Sequence, residues 1–266
     1  MNHNISNKNR SEFSISNEIN QVYEKDLELQ YLMNYFQTRK NNRLLDIATE
    51  KGTVSEILAP VFEEVITMGL DQVALEKIRN SISSSKYENV SFVNGNTEIL
   101  PFKECSFDTV ICRYAAYYFK NTAHFLREVQ RVVVDNGIFI LIDNVSPENK
   151  HHDKFYNYFE KKRDSGHHYV LKKNNWVSLL EKNGLRIQSC LTYERKNNFD
   201  AWCNKLKISK KVRLMLTDYI LLTSKEMQGF FNLELENQNI KSFSTESIIL
   251  ICRKTNTHQS KGEYFN

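Results

Sequence analysis

The sequence predicts an α/β fold, in which helices cover both faces of a mostly parallel β-sheet. Short apolar runs alternate with helix-length amphipathic segments through the first half of the 266-residue chain. Each connection is long enough to hold the crossover helix that parallel strands require. The first apolar run also leads directly into a loop and a helix, an arrangement that binds charged ligands in α/β folds.

The N-terminal part predicts a helix ahead of the first strand. Apolar residues there recur at the i, i+3, i+4 and i+7 spacing of one helix face. These residues are Leu29, Leu32, Met33 and Phe36. We therefore expect an amphipathic helix whose apolar face packs against the domain.

Five strands are then predicted, each as a short apolar run between polar segments. They cover residues 43–48, 65–70, 90–94, 107–112 and 138–143. Helices are expected between them from residue 53, at about 72–84 and at about 121–134. The last of these helices is expected to end at Asp135-Asn136-Gly137, because Asn and Gly tolerate the left-handed conformation of a helix cap.

The second half predicts two further strands, which bring the sheet to seven. Apolar and polar residues alternate over 185–193, as in a half-buried strand, and 247–252 is a short apolar run. Helices are expected at about 150–163 and around Trp176, and residues 197–232 predict two or three more. We expect these last helices to cover one edge of the sheet or the entrance to a substrate site.

Composition predicts one domain with two tails. A chain of this length with 41% hydrophobic residues can bury one sizeable core. We expect a disordered tail over residues 1–14, one domain over 15–254 with substrate-side helices within 150–240, and a second tail over 255–266. The assembly is expected to be a monomer or a homodimer.

Charge and cysteine usage narrow the class of function. The 36 basic and 32 acidic residues are too balanced for a chain that mainly neutralises phosphates, so nucleic acid is not favoured as a partner. The five cysteines lack a C-x-x-C pair, which predicts neither a disulfide framework nor a metal site. Residues 1–13 lack the apolar core of a signal peptide, and no apolar run is long enough to span a membrane. We therefore expect a cytoplasmic protein.

The clearest chemical signal follows the first two strands. Residues 46–52 form a loop between the first strand and its helix, and Asp71 ends the second strand 19 residues after Gly52. A carboxylate at that spacing can accept hydrogen bonds from both hydroxyls of a ribose, which indicates a nucleotide site. The alternative is that Asp71 only caps the helix that follows it.

Six stretches of the sequence carry a family resemblance. They are LLDIATEKG (44–52), MGLDQVALEKIR (68–79), VSFVNGNTEILPF (90–102), SFDTVICRYAAYYF (106–119), FLREVQRVVVDNG (125–137) and IFILIDNVSPE (138–148). In their order and spacing the sequence resembles the class I S-adenosylmethionine-dependent methyltransferases, and within them the small-molecule branch of the ubiquinone and menaquinone biosynthesis type. The segments FYNYFEKKRDSGHH and WVSLLEKNGL resemble the C-terminal part of one bacterial branch.

This resemblance implies a Rossmann-like three-layer sandwich with a seven-stranded sheet whose last strand is antiparallel. It implies S-adenosylmethionine as cofactor, lying across the C-terminal edges of the first, second and fourth strands, and a small molecule as methyl acceptor. The cofactor-binding residues that it implies are Asp46, Ala48, Thr49, Glu50, Gly52, Asp71, Gln72, Asn96, Thr97, Arg113 and Tyr114. Among them Asp71 would hold the ribose, and Asn96 and Thr97 would face the adenine.

Two departures from the family pattern bear on activity. The loop that commonly reads D-x-G-x-G-x-G keeps only its last glycine, because Ala48 and Glu50 stand at the other two positions. A side chain at Glu50 removes room for close backbone approach, and its carboxylate would repel that of the cofactor unless Lys51 offsets the charge. Asn96 stands where the family usually has Asp, and its side-chain oxygen can still accept a hydrogen bond from the adenine amino group.

The candidate bases follow from the chemistry of methyl transfer. The reaction is an in-line displacement on an activated donor, so a base is needed only when the acceptor must lose a proton. The candidates are His151 and His152, just after the fifth strand, and Tyr117, after the fourth. A solvated helix surface is the alternative for the two histidines. The aromatic residues around Tyr117 predict either an apolar acceptor pocket or ordinary core packing, and their position after the fourth strand favours the pocket.

Three other functions compete with an active small-molecule methyltransferase. Glu50 and Asn96 favour a weak or inactive methyltransferase-like protein that serves as a binding module or scaffold. Basic runs, such as residues 205–213, favour an RNA methyltransferase, which would show strongly salt-dependent RNA binding. A nicotinamide oxidoreductase is least favoured, because residues 48–52 do not supply the G-x-G-x-x-G pattern.

Overall fold

One mixed sheet organises the computed structural model, which describes residues 26–49, 51–84 and 87–255. Its strands are β1 (Arg43–Ile47), β2 (Glu64–Gly69), β3 (Val90–Asn94), β4 (Phe107–Arg113), β5 (Val133–Val145), β6 (Leu185–Asn198), β7 (Glu234–Glu236) and β8 (Asn239–Lys254). Their order is β3-β2-β1-β4-β5-β8-β6, and the short β7 pairs with β8. Strands β1 to β5 pair in parallel, whereas β8 is antiparallel to β5, β6 and β7. The predicted mostly parallel sheet with an antiparallel last strand is confirmed, and β7 adds to it.

The helices alternate with the strands as predicted. They are α1 (Leu27–Phe36), α2 (Thr53–Leu58), α3 (Gln72–Ser84), α4 (Thr122–Val132), α5 (Lys150–Arg163), α6 (Lys173–Lys182), α7 (Phe199–Lys205), α8 (Lys210–Leu221) and α9 (Lys225–Phe230). Short 3₁₀ turns cover Ala59–Val61 and Ala116–Tyr118. Within the described residues, no helix combines the length and the apolar character that a membrane span needs. The predicted N-terminal tail, residues 256–266 of the C-terminal tail and Glu50 lie outside the described residues.

The two faces of the sheet carry separate apolar cores. Leu44 and Leu45 of β1 are both fully buried, yet they belong to opposite cores because successive side chains of a strand point to opposite faces. Leu44 packs in the core that includes α1 and α2, and Leu45 packs in the core that includes Phe125 of α4 and Trp176 of α6. Burial on both faces explains why β1 reads as an uninterrupted apolar run.

Helices α5, α7, α8 and α9 form a third apolar cluster with the first half of β8. Phe155 and Phe159 of α5 pack there with Leu216 of α8 and Phe243 of β8. Phe231, just after α9, contacts the rings of both Phe155 and Phe159. We call α5 together with α7, α8 and α9 the cap.

The junction between α4 and β5 corrects one prediction. Helix α4 ends at Val132, and Val133 is already extended and belongs to β5, so Asp135-Asn136-Gly137 lies inside the strand. Asn136 has the left-handed φ of 60°, as expected, but in a strand irregularity and not in a helix cap. A Cβ at Gly137 would lie 2.8 Å from the carbonyl oxygen of Val134, which explains the glycine.

The last two long strands also extend beyond their predicted limits. β6 continues to Asn198, and β8 begins at Asn239, ahead of the predicted apolar run 247–252. Many of the added residues are polar, and they pair with each other from Glu194 opposite Glu246 to Asn198 opposite Ser242. Backbone pairing therefore continues where the apolar pattern that marks a strand in the sequence has stopped.

Candidate active site

A cavity of about 640 Å³ opens at the carboxyl-terminal edge of the central strands. Ile47 of β1 is paired with Met68 of β2 and with Cys112 of β4, so these three parallel strands end at the same edge. The residues that follow each strand line one side of the cavity, and the cap lines the other through Arg163, Lys205 and neighbouring residues. Parallel strands thus bring together residues that are far apart in the sequence.

Asp46, near the end of β1, holds the loop and does not line the cavity. Its fully buried carboxylate accepts hydrogen bonds from the backbone N–H and the hydroxyl of Ser55 in α2, the latter at 2.6 Å. Thr67 of β2 donates in turn to the Ser55 hydroxyl at 2.7 Å. Burial raises the pKa of Asp46 to about 6, because the charged form loses its hydration. This network fixes α2 to the end of β1.

The loop after Asp46 turns through two left-handed residues. Ala48 has a φ of 58° and Gly52 a φ of 69°, and Thr49 accepts a hydrogen bond from the Gly52 N–H at 2.9 Å. A Cβ at Gly52 would lie 2.3 Å from Cγ2 of Ile78, so the surviving glycine is required for packing as well as for its backbone angle. Ala48 and Thr49 line the cavity.

Asp71, directly after β2, lines the cavity and also caps a helix. Its carboxylate accepts from the backbone N–H of Ala74 at 2.8 Å, so the capping alternative holds in part. The side chain is exposed and retains further acceptor positions toward the cavity. Gln72, the first residue of α3, is exposed and hydrogen-bonds Glu76 at 3.3 Å.

Asn96 and Thr97 line the same cavity after β3. The Asn96 side-chain oxygen accepts from the Glu98 N–H at 2.8 Å. Glu98 in turn accepts from the backbone N–H groups of Lys120 and Asn121, which follow β4. These contacts join the loop after β3 to the segment after β4 and close one end of the cavity.

Arg113 and Tyr114, at the end of β4, are held by acidic residues of the N-terminal helix. The Arg113 guanidinium donates to Glu28 at 2.8 Å and also pairs with Asp26. The Tyr114 hydroxyl bonds the other oxygen of Glu28, which also accepts from Tyr193 of β6. Tyr114 lines the cavity with a left-handed φ of 52°, and burial raises its pKa to about 12.

A second buried carboxylate supports the segment after β4. Asp143 of β5 accepts from the backbone N–H of Ala116 at 2.9 Å and from that of Asn144 at 2.7 Å. Burial raises its pKa to about 7. Asp143 thereby anchors the 3₁₀ turn that carries Tyr117 and Tyr118 into the cavity wall.

Of the three candidate bases, only Tyr117 lines the cavity. His151 is exposed in the first turn of α5. His152 is buried against Phe230, with ring centroids 4.1 Å apart, and its Nε2 lies 3.6 Å from a carboxylate oxygen of Glu226. The structure therefore does not bring the two histidines together with the other candidate residues.

Similarity to known proteins identifies the family of this chain. A family model described as a methyltransferase domain matches residues 38–184. The chain belongs to this family. The resemblance of its sequence to the class I methyltransferases is confirmed.

Two relatives of this methyltransferase match most of the chain, and a third matches less than half of it. The uncharacterised methyltransferase YcgJ of Bacillus subtilis is 27% identical over 231 residues, which are 86% of this chain and 91% of that protein. Its crystal structure has a TM-score of 0.83 at 26% identity and covers 86% of this chain and 99% of that chain. A crystal structure from Bacillus halodurans, also assigned to the methyltransferases, has a TM-score of 0.84 at 33% identity over 87% of this chain and 100% of that chain. The demethylmenaquinone methyltransferase of Chlorobaculum tepidum is 29% identical over 114 residues, which are 43% of this chain and 46% of that protein.

Sequence reasoning missed several residues that shape the site of this methyltransferase. Glu28 stands in the first turn of an amphipathic helix, where an acidic residue is ordinary, so nothing local marks it. Asp143 ends an apolar run, which was a usable signal, since a carboxylate within a buried strand needs partners. Asp164 and His167 lie in a polar loop, and only the fold brings them next to the tyrosines of the cavity wall.

Proposed function

We propose that this methyltransferase binds S-adenosylmethionine and transfers its methyl group to a small-molecule acceptor. The supporting observation is that Asp71, Asn96 and Thr97, the predicted nucleotide-binding residues, line one cavity of about 640 Å³. That volume lies within the range of small-molecule and cofactor sites. Membership of the methyltransferase family supports the reaction, and the demethylmenaquinone methyltransferase among the relatives supports a small acceptor.

The residues around the cavity fit the proposed cofactor. The exposed Asp71 carboxylate has acceptor positions left for two ribose hydroxyls, and the Asn96 oxygen retains one for an amino group. Ala48 and Thr49 of the loop after β1 line the cavity, ahead of the start of α2. When bound, S-adenosylmethionine supplies a methyl group that is already activated by a positively charged sulfur.

The chain's own task is then to orient the reactants and to exclude water. Tyr114, Tyr117 and Phe119 place aromatic surface in the cavity wall, and the electron-rich face of an aromatic ring favours a positive charge. Glu28 holds the Tyr114 hydroxyl, and Asp143 holds the backbone of the 3₁₀ turn that carries Tyr117. We assign Arg113 a positioning role, because its guanidinium joins α1 to the end of β4.

The cap is proposed to hold the acceptor. It faces the cavity across from the strand ends through Arg163 and Lys205, next to Gly166 and Leu206 of the loops that follow α5 and α7. Tyr117 lies between these residues and the strand ends, so it is the candidate residue positioned to meet an acceptor. We no longer assign a base role to His151 or His152, since neither lines the cavity.

Calorimetric titration with S-adenosylmethionine and S-adenosylhomocysteine tests the proposal. We expect micromolar affinity for the wild type, about −8 kcal/mol, and a loss of at least about tenfold in Asp71→Ala. Glu63→Ala serves as the control, because this carboxylate is exposed, lies just ahead of β2 and does not line the cavity. The control should bind both ligands as the wild type does.

A second variant separates the proposal from its main alternative. If the wild type binds neither ligand and Glu50→Gly restores binding, the glycine-poor loop blocks the cofactor. The chain would then be a methyltransferase-like scaffold, and the proposed reaction would be wrong. Binding by the wild type that is unaffected in Asp71→Ala would instead contradict the assignment of the ribose site.

A further inference from the structure

A second cavity, of about 330 Å³, lies between the cap and strands β6 and β8. Among the described residues, it shares no lining residue with the first cavity at the ends of β1, β2 and β4. The strands contribute Glu194 and Glu246, and the cap contributes Tyr156 of α5 with Phe230 and Phe231 at the end of α9. The volume is at the lower end of the range for small-molecule sites, so the cavity suits a small ligand.

The two carboxylates of this second cavity come from neighbouring strands and lie directly opposite each other. Glu194 of β6 pairs with Glu246 of β8 in the strand register. Like charges in such a cross-strand pair repel each other and destabilise the sheet. The Glu194 carboxylate is held in place, because one oxygen accepts from the Ser244 hydroxyl at 2.8 Å and the other from the Asn232 side chain at 3.0 Å. Both donors are neutral, so they orient this carboxylate without compensating its charge.

Basic side chains near the second cavity leave most of this negative charge uncompensated. Glu194 has no ion-pair partner within the described residues. The guanidinium of Arg195, the next residue, lies 4.6 Å from the ring centroid of Tyr114 in the first cavity. Lys173 is 3.8 Å from Glu246, with both side chains more than a third exposed, and an ion pair of this kind contributes little. A positively charged ligand would therefore relieve the repulsion between the two carboxylates.

Aromatic rings form much of the remaining wall of the second cavity. Tyr156, Tyr193, Phe230 and Phe231 all line it. The Phe231 ring centroid lies 5.0 Å from that of Phe230 and 6.2 Å from that of Tyr156. Phe230 is 50% exposed, so a ligand in the cavity would cover apolar surface that the fold leaves open to water. The faces of aromatic rings attract cations, and rings grouped around a cavity are typical of sites for quaternary ammonium compounds.

Tyr156 shows that the protein alone does not satisfy every polar group of this wall. Its side chain is 1% exposed, and its hydroxyl has no hydrogen-bond partner within the described residues. Buried hydroxyl groups nearly always have a partner in native proteins. An unsatisfied buried hydroxyl in a residue that lines a cavity is a second sign, besides the carboxylate pair, that the site is incomplete without a ligand.

We propose that the second cavity binds a small organic cation of the alkylammonium type. Glu194 and Glu246 supply the negative charge, and the aromatic rings contact the alkyl groups. A metal ion fits these residues less well, since among the residues that the structure describes no group of three or more His, Cys, Asp or Glu side chains could hold one. The site is separate from the first cavity, so the inference goes beyond the proposed function and does not rest on it.

Titration with choline and with a neutral isostere tests the proposal. The isostere is the alcohol that has carbon in place of the choline nitrogen, so the two probes share their shape and differ in charge. We expect cofactor-free protein to bind choline saturably in the millimolar range or tighter, and at least about tenfold more tightly than the neutral alcohol. Calorimetry measures both affinities at constant ionic strength, with sodium chloride in place of choline chloride as the blank.

Variants of the carboxylate wall locate the bound cation. Glu194→Gln removes one charge and keeps an acceptor for Ser244, so it should weaken choline binding at least about fivefold and change binding of the neutral alcohol by less than about twofold. Glu236→Gln is the matched control, because this carboxylate is exposed on β7 and does not line the second cavity. It should bind both probes as the wild type does.

Variants of the aromatic wall test the second part of the site. Phe230→Leu keeps an apolar side chain and removes the ring, so it should weaken choline binding by about twofold to fivefold. Phe230→Tyr keeps the ring and should retain the affinity of the wild type. Equal affinities in these two variants would show that the ring does not contact the cation and would contradict the aromatic part of the site.

Three results would overturn the cation site as a whole. They are the absence of saturable choline binding, equal affinity for choline and the neutral alcohol, and wild-type affinity in Glu194→Gln. Choline binding that is lost in Asp71→Ala and kept in Glu194→Gln would place the cation in the first cavity and would also overturn the proposal. The outcome is independent of the proposed function, since a protein that binds choline but no S-adenosylmethionine would keep this site and lose the proposed reaction.

Discussion

The loop after β1 and the segment after β4 face the same cavity, and they are held in place in different ways. Each contains a residue with left-handed backbone angles, Ala48 in the first and Tyr114 in the second, and each is tied to a buried carboxylate. The first carboxylate, Asp46, bonds Ser55 nine residues further along the same βα unit. The second, Asp143, comes from the neighbouring strand and bonds Ala116.

The segment after β4 depends on the whole domain, whereas the loop after β1 depends on one unit. Glu28 of α1 bonds Tyr114 and Tyr193, the latter across 165 residues of sequence. A change at one distant position should therefore loosen the β4 side of the cavity and leave the β1 side intact. We infer that the loop after β1 and the segment after β4 can be perturbed separately.

The largest expected effect is that of Glu28→Ala. This change leaves Arg113 without one of its two carboxylate partners and deprives two tyrosine hydroxyls of their shared acceptor, in a region where the Glu28 side chain is only 8% exposed. Breaking a buried ion pair from one side commonly costs about 3–5 kcal/mol. We expect a decrease of about that size in the free energy of unfolding, measured by urea denaturation. Glu76→Ala, an exposed carboxylate, should change it by less than about 0.5 kcal/mol.

A small effect of Glu28→Ala would contradict the inferred difference between the loop after β1 and the segment after β4. It would mean that both segments are held by neighbouring residues alone and that the contacts to α1 contribute little to the free energy of unfolding. Titration of the same variant with S-adenosylhomocysteine adds a second readout, because normal affinity in a folded variant would show that the contacts of Glu28 do not contribute to cofactor binding.

The second largest change in the free energy of unfolding is expected for Asp143→Asn, and its size depends on pH. Burial raises the folded pKa of Asp143 from 3.8 to about 7, so between these values the folded protein binds more protons than the unfolded chain. The contribution of this group to stability is therefore present below about pH 4 and is lost as the pH rises toward 7, by about 2–4 kcal/mol. Asn does not titrate, so the variant should lack this part of the decline.

The measurement is the free energy of unfolding at several pH values between about 4 and 8, compared between wild type and variant. Asp46, with a folded pKa of about 6, titrates in both proteins and cancels in the difference. The exposed Asp218→Asn variant should follow the wild type. Parallel curves for wild type and Asp143→Asn would show that Asp143 is not anchored in its buried position as a carboxyl group.

The same contrast explains how much of the molecule could be predicted from its sequence. The β1 loop, Asp71 and the loop at Asn96 were predictable, because each follows an apolar run and parallel strands place such ends at one edge. The sheet order was not derivable from the runs alone, and the family resemblance implied only that the last strand is antiparallel and that the first, second and fourth strands end at the cofactor site. Glu28 was not predictable as a site residue, since its contacts involve residues that no local pattern connects to it.

The orientation of His151 and His152 also could not be predicted from the sequence. A polar helix after β5 was predicted correctly, and its first turn carries both His151 and His152. Which face of that helix meets the cavity depends on the packing of the cap, where His152 lies against Phe230 and the last residue, Arg163, reaches the cavity instead. Orientation of this kind is a tertiary property, and helix periodicity in a mostly polar segment does not reveal it.

The smallest expected effect tests the local character of the β1 loop. Ala48 keeps a φ of 58°, and its N–H donates to Met68 of β2 at 2.8 Å, so the loop already has the backbone shape that glycine would allow. Ala48→Gly removes about 1 kcal/mol of left-handed strain and adds about 0.5–1 kcal/mol of unfolded-state entropy. The net change in the free energy of unfolding should stay within about 0.5 kcal/mol, whereas Ala123→Gly in α4 should lose about 1 kcal/mol. Affinity for S-adenosylhomocysteine should change by less than about threefold, because the loop shape is kept. An Ala48→Gly variant as destabilised as Ala123→Gly would mean that Ala48 is not left-handed and that the β1 loop, like the segment after β4, takes its shape from more than its own βα unit.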